Sequence, residues 1–284
     1  MSNHKYVTLK HSGNKIPLVG YGTARIPANE TENVVYNAIK AGNRLIDGAL
    51  LYSNEPEVGR AVRKAIADGI VKREELFTPM ATEFIDPKEG FGFLNSKKEL
   101  NFVKAPLQDT WRELEDLVDA GLIRNIGISN FNVQSTLDLL TYARIPPSVL
   151  EIEHHPYLQQ RRLVNWAQSQ GIQVIAYASF GNAVFEKFPP GTEHLENLMK
   201  HSVIVSIAEK HKADAGQILL AWANHHNVIV IPKTVNIKRM KTNLDTYNIK
   251  LDNEDLQKIA NLEANARFND FFDNTYGFDF PLFA

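Results

Sequence analysis

Two side chains that can hold or transfer a proton, Asp47 and Tyr52, stand five residues apart in the sequence. They follow a short segment, residues 44–47, that is predicted as a β-strand. In parallel α/β folds, the carboxyl ends of the strands and the loops after them face the ligand. An acid and a phenol at such a strand end are therefore candidates for proton transfer. The alternative is that Asp47 caps a turn and Tyr52 is a half-buried core residue.

A second group of side chains has the chemistry of a phosphate receptor. Lys233 and Thr234 follow a predicted strand, and Arg239 lies in the helix predicted next. Two cations at a helix N-terminus bind phosphate well, although Lys233 and Arg239 alone are typical of a solvated charged surface. We predict no metal site, because the adjacent His154 and His155 on a strand would point to opposite faces and would not share one ion.

Composition sets the outer limits of the function. The 284 residues, 44% of them hydrophobic, are enough for one large domain, and we treat residues 1–284 as that single domain. The net charge of −2 argues against nucleic acid or an anionic membrane as a partner. The chain has no cysteine, which excludes disulfides and thiolate metal sites and fits a reducing compartment. We find no apolar leader and no run of membrane-spanning length, and we expect a cytoplasmic protein.

Predicted strands and helices alternate along the chain, which indicates a parallel sheet covered by helices in one barrel. The predicted strands are residues 16–20, 44–47, 76–78, 125–128, 149–153, 173–177 and 228–231. The predicted helices are residues 30–41, 54–68, 110–120, 133–142, 161–168, 203–211, 215–225, 237–244 and 253–262. Seven strands are one fewer than a closed barrel of this class uses. Between Thr78 and Thr110 no helical period appears, and we predict one long loop, which is either functional or a sign that something is wrong.

Six sequence blocks, taken together and in order, closely resemble the aldo-keto reductases, above all the fungal xylose or aldose reductases. The blocks are GNRLIDGALLYSNEPEVG from Gly42, GLIRNIGISNFN from Gly121, EIEHHPYLQQ from Glu151, AYASFG from Ala176, IPKTVNIKR from Ile231 and RFND from Arg267. The resemblance implies a TIM-type (β/α)8 barrel that reduces aldehydes or aldoses, such as xylose, to alcohols. It makes Asp47 and Tyr52 catalytic, with Tyr52 donating the proton and the nicotinamide donating the hydride.

The resemblance also implies how the cofactor would be bound. Ser129, Asn130 and Glu151 would hold the nicotinamide carboxamide, and Glu151 stands where a glutamine is usual. A carboxylate accepts a hydrogen bond but cannot donate one, so one contact would change. The remaining predicted cofactor residues are Tyr177 under the nicotinamide ring, Ser179 and Phe180 over the pyrophosphate, and Lys233, Thr234, Arg239 and Asn243 at the 2′-phosphate and adenine. The implied cofactor is NADPH, with NADH as the alternative.

The chain departs from the family pattern directly after Thr78. In the family, the strand at residues 75–77 continues into a Thr-Ser-Lys sequence, and the next strand ends in a histidine. Here Pro79 follows Thr78, so that lysine and histidine are absent with about one βα unit, or ~30 residues. A phenol has a pKa of about 10 and needs a nearby ammonium group, so we expect impaired catalysis. The loop residues Lys88, Lys97, Lys98 and Lys104 are expected to be solvated rather than to replace the lysine.

Two alternatives to an active reductase follow from this gap. One is a catalytically impaired protein that still binds NADPH, or a partner protein, and the other is an incomplete gene product whose open sheet edges prevent stable folding. For a reductase the expected partner is a small carbonyl compound, and the resemblance adds a homodimer. An apolar lid over the pocket is predicted from four aromatic residues near the C-terminus, Phe271, Phe272, Phe278 and Phe280.

Overall fold

The computed structural model describes residues 5–78, 80–81, 97, 105–185 and 188–270. Its strands are β1 (Tyr6–Thr8), β2 (Lys15–Pro17), β3 (Tyr21–Gly22), β4 (Ile46–Ala49), β5 (Met80–Ala81), β6 (Gly127–Ser129), β7 (Val149–Glu153), β8 (Gln173–Tyr177) and β9 (Ile229–Val230). Its helices are α1 (Ala28–Ala41), α2 (Glu55–Ala67), α3 (Leu107–Asp119), α4 (Val133–Tyr142), α5 (Arg161–Ser169), α6 (Ser202–His211), α7 (Ala215–His225), α8 (Ile237–Thr242) and α9 (Asn253–Ala260). Short 3₁₀ helices lie at Leu50–Tyr52, Arg73–Glu75, Gly181–Val184 and Asn243–Asn248.

The parallel strands follow one another in a single order. One sheet runs β3-β4-β5 and the other β6-β7-β8-β9. A parallel bridge between Val19 and Val230, with the Gly20 amide 2.7 Å from the Val230 carbonyl oxygen, joins β3 to β9. The order is therefore β5-β4-β3-β9-β8-β7-β6, and the described residues do not show this sheet closing into a ring. The predicted parallel α/β architecture is confirmed, whereas the number of strands in the intact sheet stays a prediction.

The first predicted strand, residues 16–20, is divided between two elements. Ile16 and Pro17 belong to the antiparallel hairpin β1-β2, in which Tyr6 pairs with Pro17. Parallel pairing begins at Val19, which bridges to Val230, and continues where Tyr21 pairs with Ile46. The continuous apolar run hides this change of partner, because a hairpin strand and a buried parallel strand have the same composition.

The remaining boundaries need smaller corrections. Phe77 pairs with Leu45, as expected for a strand at residues 76–78, but pairing of β5 with β4 continues to Ala81. The predicted long loop was therefore wrong at its start, and also at its end, because α3 begins at Leu107. Most of the loop lies outside the described residues. The predicted helix at residues 237–244 ends at Thr242 and passes into a 3₁₀ helix. By contrast, α4, α7, β7 and β8 have the bounds predicted from the sequence.

The core lies between the helices and the sheet. Helices α1 and α2 share one apolar cluster that includes Val35, Ile39 and Ala61. The largest cluster lies around β6 to β9 and contains Trp111 and Trp222, both 2% exposed. In the part of the chain that the structure covers, no helix is both long enough and apolar enough to cross a membrane.

Candidate active site

Asp47 and Tyr52 lie at the carboxyl end of β4 and directly after it. Asp47 is 5% exposed and pairs in register with Gly22 of β3. The Thr23 hydroxyl donates to the Asp47 backbone oxygen at 2.8 Å, which ties the loop after β3 to this strand end. Tyr52 closes the 3₁₀ helix Leu50–Tyr52 and is half-buried. The structure thus places both residues on the ligand-facing edge of a parallel sheet.

Asp47 interacts with a second carboxyl group, that of Glu151 on β7. Burial raises the pKa of Asp47 well above its usual range, and the charge of Glu151 raises it further. Burial alone raises the pKa of Glu151 to about 7. Two carboxyl groups that share a desolvated site do not ionise together, so this pair retains a proton into the neutral range. A protonated Glu151 has an O–H donor, as the amide of a glutamine has an N–H donor.

The predicted carboxamide residues form one hydrogen-bonded group. Ser129 on β6 pairs in register with Glu151, and the Asn130 amide donates to the Glu151 backbone oxygen at 2.9 Å. Asn130 has a φ of 61°, in the left-handed region that asparagine tolerates, and this turn directs the chain away from the strand. The Tyr177 hydroxyl donates to Asn130 Oδ1 at 2.8 Å, and Asn130 Nδ2 donates to Ser129 Oγ at 3.3 Å.

The turn after β8 has a second left-handed residue, Ala178, with φ 50°. Ser179 is 5% exposed and donates from Oγ to the Ala176 backbone oxygen at 3.3 Å. Phe180 is half-buried and packs against the largest core cluster, and Gly181 begins the next 3₁₀ helix. The structure therefore orients the Ser179 hydroxyl toward its own strand and places the Phe180 ring next to the core.

The predicted phosphate residues meet at the beginning of α8. Arg239 Nε donates to Thr234 Oγ1 at 3.1 Å. Asn236 caps the helix, because its Oδ1 accepts from the Arg239 amide at 3.1 Å. The Tyr21 hydroxyl donates to the Thr234 backbone oxygen, which fixes this turn against β3. Lys233 is exposed next to them.

Asn243 lies further along, at the start of the 3₁₀ helix after α8, and is 8% exposed. Its backbone oxygen accepts from the Thr246 hydroxyl at 3.0 Å. The structure therefore brings Lys233, Thr234 and Arg239 together at one turn and keeps Asn243 on the element that follows.

The adjacent histidines have different surroundings. His154 stacks on Trp222 with ring centroids 4.7 Å apart, and burial lowers the pKa of His154 to about 3. His155 is fully buried and its Nε2 donates to Glu153 Oε1 at 2.9 Å. Among the residues that the structure describes, no group of three His, Cys, Asp or Glu side chains is arranged to hold a metal ion.

Sequence reasoning missed two polar residues next to Tyr177. Glu153 ends β7 with no exposed surface, and Asn269 donates from Nδ2 to the Tyr177 hydroxyl at 3.1 Å. The sequence feature that could have indicated Glu153 is its position, because it is a charged residue at the end of a predicted strand of the parallel sheet. Asn269 lies within the block RFND from Arg267. That block resembles the family, but no function was predicted for its residues.

Comparison with known proteins gives the relationship of the chain. The model of the Aldo/keto reductase family matches residues 96–264, more than half of the sequence. The 4-dihydromethyl-trisporate dehydrogenase of Mucor mucedo is 43% identical over 318 residues, covering 98% of both chains. The chain belongs to the aldo/keto reductase family. Its resemblance to that family is therefore confirmed, and the chain is an oxidoreductase by family.

Further relatives of this aldo/keto reductase are fungal NAD(P)H-dependent D-xylose reductases. That of Aspergillus niger is 40% identical over 313 residues, covering 96% of this chain and 98% of the relative. That of Hypocrea jecorina is 42% identical over 305 residues, covering 92% and 94%. The alignment with the Mucor mucedo protein is longer than the 284 residues of this chain by more than thirty positions, so it must contain gaps in this chain.

Most of the loop lysines and all of the lid residues predicted from the sequence lie outside the described residues. Lys97 is described and exposed. Lys88, Lys98 and Lys104 lie outside the described residues. The four aromatic residues from Phe271 onward also lie outside them. Membership implies a (β/α)8 barrel, of which the described residues show a parallel sheet flanked by helices.

Proposed function

We propose that this aldo/keto reductase binds NADPH across the carboxyl ends of its strands and reduces small aldehydes or aldoses, xylose-like sugars among them. The observation that carries the proposal is the position of Glu151. Glu151 interacts electrostatically with Asp47 and pairs in register with Ser129, which supports one site shared by the predicted acid and the predicted carboxamide residues. The D-xylose reductase relatives support the same reaction class.

The described residues fit a nicotinamide carboxamide. Ser129 supplies a hydroxyl, Asn130 supplies both a donor and an acceptor, and a protonated Glu151 supplies a donor. Burial raises the pKa of Tyr177, so its ring stays a neutral phenol with an apolar face for stacking. When bound, NADPH supplies the hydride.

The proton is the contribution of the protein itself. Tyr52 would donate the phenolic proton to the carbonyl oxygen as that oxygen gains negative charge, and Asp47 would lie beneath it at the strand end. A carboxyl group that keeps its proton does not repel the developing phenolate, whereas an ionised carboxylate would disfavour it. The raised pKa values of Asp47 and Glu151 would therefore lessen the repulsion of a phenolate by Asp47, without supplying the cation that the family lysine provides.

The preference for NADPH over NADH follows from the turn before α8. Arg239 is oriented by Thr234, and Lys233 lies beside them in solvent, so a 2′-phosphate would meet two cations and a hydroxyl. Arginine binds phosphate with directed hydrogen bonds, and lysine adds a point charge. NADH lacks that phosphate and would forgo these contacts.

The gap after Thr78 supports slow turnover rather than a different function. Proton donation by a well-placed general acid contributes roughly 10²- to 10⁴-fold to the rate. This chain keeps the phenol but has neither family partner at Thr78-Pro79. Its gain in rate from proton donation would therefore be smaller than in a complete family member. A protein that binds NADPH without turnover is the alternative to this proposal.

Oxidation of NADPH, followed by its absorbance with xylose and with an aromatic aldehyde, tests this function. We expect slow, substrate-dependent oxidation that Tyr52→Phe abolishes. Tyr247→Phe, which removes a hydroxyl from the 3₁₀ helix after α8, is the matched control and should leave the rate unchanged. Equal rates for wild type, Tyr52→Phe and a boiled sample would refute catalysis by this site.

A further inference from the structure

A buried carboxylate at the end of β7 binds the C-terminal part of the described chain. Glu153 Oε1 accepts from the Phe268 backbone amide at 2.7 Å and from His155 Nε2 at 2.9 Å. Glu153 Oε2 accepts from the Asn269 backbone amide at 2.9 Å, and Arg267 Nη1 lies 3.9 Å from it. Because two consecutive amides bind the two oxygens of one carboxylate, the segment is fixed in both position and orientation.

From this segment a line of hydrogen bonds leads back across the sheet. Asn269 Nδ2 donates to the Tyr177 hydroxyl at 3.1 Å, and that hydroxyl donates to Asn130 Oδ1 at 2.8 Å. Asn130 Nδ2 in turn donates to Ser129 Oγ at 3.3 Å. Glu153 binds the backbone amide of Asn269, and the side chain of Asn269 binds Tyr177. Glu153 is thereby connected through Asn269 to the ends of β8 and β6.

The chain just before this segment is held independently of Glu153. The Ala266 amide donates to the Tyr157 backbone oxygen at 3.0 Å. The Glu263 carboxylate accepts from the Gln159 amide at 2.8 Å. The contacts of Glu153 therefore decide the placement of residues 267–269 and not the docking of the chain that leads to them.

We propose that Glu153 is a positioning residue. It sets Asn269 against Tyr177, and through Tyr177 it sets the Asn130 amide that the proposed function assigns to the nicotinamide. The effect on the cofactor rests on that proposed function, whereas the connection from Glu153 to Asn130 is a property of the protein alone. A carboxylate suits this role because both of its oxygens accept, while a glutamine would turn an NH₂ group toward one of the two amides.

Hydrogen exchange measured by mass spectrometry tests the connection on the whole chain without cofactor. We expect Glu153→Gln to accelerate exchange roughly 10-fold in residues 266–270 and also in residues 127–131, because one charge-assisted hydrogen bond is lost. Asn269→Ala should accelerate exchange in residues 127–131 while the amides of Phe268 and Asn269 stay protected. Glu263→Gln, a matched loss of a carboxylate that binds backbone amides, should leave residues 127–131 unchanged.

A titration of each variant with NADPH, followed by cofactor fluorescence, adds the functional readout. Glu153→Gln and Asn269→Ala should both weaken NADPH binding several-fold, and Glu263→Gln should not. Faster exchange in Glu153→Gln that is confined to residues 266–270 would overturn the proposal and leave Glu153 a purely structural anchor. Asn269→Ala keeps the buried charge and its partners, so it decides the question even if Glu153→Gln unfolds.

The two proposals fail in different ways. If wild type does not bind NADPH but the exchange pattern is as expected, the proposed function is wrong and the connection from Glu153 to Asn130 stands. If wild type binds NADPH and Asn269→Ala changes neither exchange in residues 127–131 nor affinity, the positioning role is wrong and the proposed function stands.

Discussion

At the scale of single residues, the carboxyl pair of Asp47 and Glu151 is one difference between this site and the pattern of its family. Glu151 stands where the resemblance expects a glutamine, and Asp47 faces it without the family lysine at Thr78-Pro79. Burial raises the pKa of both groups, so each favours its neutral form in the folded protein. The pair therefore links the stability of the fold, and the hydrogen bonding of the cofactor site, to pH.

Glu151→Gln should remove part of this pH dependence. A group whose pKa is higher in the folded than in the unfolded protein stabilises the fold most below its unfolded pKa, and this contribution is lost as pH rises through the folded pKa. For Glu151 the loss falls between the usual glutamate range and about pH 7. We expect the wild-type free energy of unfolding to decrease by about 1–3 kcal/mol more than that of Glu151→Gln over this window.

Urea unfolding at pH 5, 6, 7 and 8 measures this difference. Glu254→Gln, on the exposed face of α9, is the control for loss of a glutamate charge. Parallel pH profiles for wild type and Glu151→Gln would contradict a raised pKa at Glu151.

The part of the site that could be predicted from the sequence is the part whose residues lie close together along the chain. Asp47 and Tyr52 could be placed at a strand end because the strand and the residues after it are local in sequence. The hydrogen bond between Glu153 and Asn269 could not be predicted, because the two residues are 116 positions apart in the sequence. It depends on where the C-terminal part of the described chain passes the carboxyl ends of the strands. The interaction of Asp47 with Glu151 was hidden for the same reason.

At the scale of elements, the packing of β3 between its two neighbouring strands depends on glycines too small to separate them. A Cβ atom at Gly20 would lie 2.6 Å from Cγ of Leu45, a fully buried residue directly before β4. On the β9 side, a Cβ atom at Gly22 would lie 2.7 Å from the Ile231 backbone oxygen. These close approaches place β3 between β4 and β9.

Gly20→Ala should therefore destabilise the protein by about 1–3 kcal/mol, since the added methyl group must displace a packed leucine. Gly59→Ala on α2 is the matched control, because its nearest heavy atom would be Arg63 Nη1 at 3.5 Å. That substitution should stabilise the protein by about 0.5–1 kcal/mol through helix propensity. Thermal unfolding compares the two, and equal melting temperatures would contradict the close packing of Gly20 against Leu45.

Elements bounded by clear turn signals were the easiest to predict. Strands β7 (VLEIE) and β8 (QVIAY) are five-residue segments rich in β-branched and other apolar residues, and α4 begins after Asn132, whose side chain caps it at 2.8 Å. The hairpin β1-β2 was missed because Ile16 and Pro17 continue without a break into the apolar residues that follow. The pattern of apolar residues indicates which residues of a strand are buried, but it does not indicate which neighbouring strand pairs with it.

At the scale of the whole molecule, the chain combines a nearly full-length match to its relatives with fewer residues than the alignment spans. The gap that we infer after Thr78 would remove one βα unit directly before β5, which lies at an edge of the described sheet. A missing unit would expose strand edges and would remove the lysine and histidine that the family pattern supplies there.

Insertion of the corresponding βα unit of a D-xylose reductase relative between Thr78 and Pro79 should therefore raise both stability and turnover. We expect a gain in rate of at least ~10²-fold, the lower end of general acid catalysis. A Gly/Ser insert of the same length is the control and should give no gain. If both inserts leave the rate unchanged, the gap is not what limits catalysis.

The claim on which the account depends is that this chain keeps a working NADPH site despite that gap. Titration with NADPH and with NADH, followed by cofactor fluorescence, tests it most directly in wild type and in Arg239→Ala, with Lys241→Ala as a control on the same helix. The account predicts saturable binding, with NADPH favoured over NADH by roughly 10-fold or more in wild type and this preference largely lost in Arg239→Ala alone. No saturable NADPH binding by folded wild-type protein, or a preference that Arg239→Ala leaves intact, would contradict it.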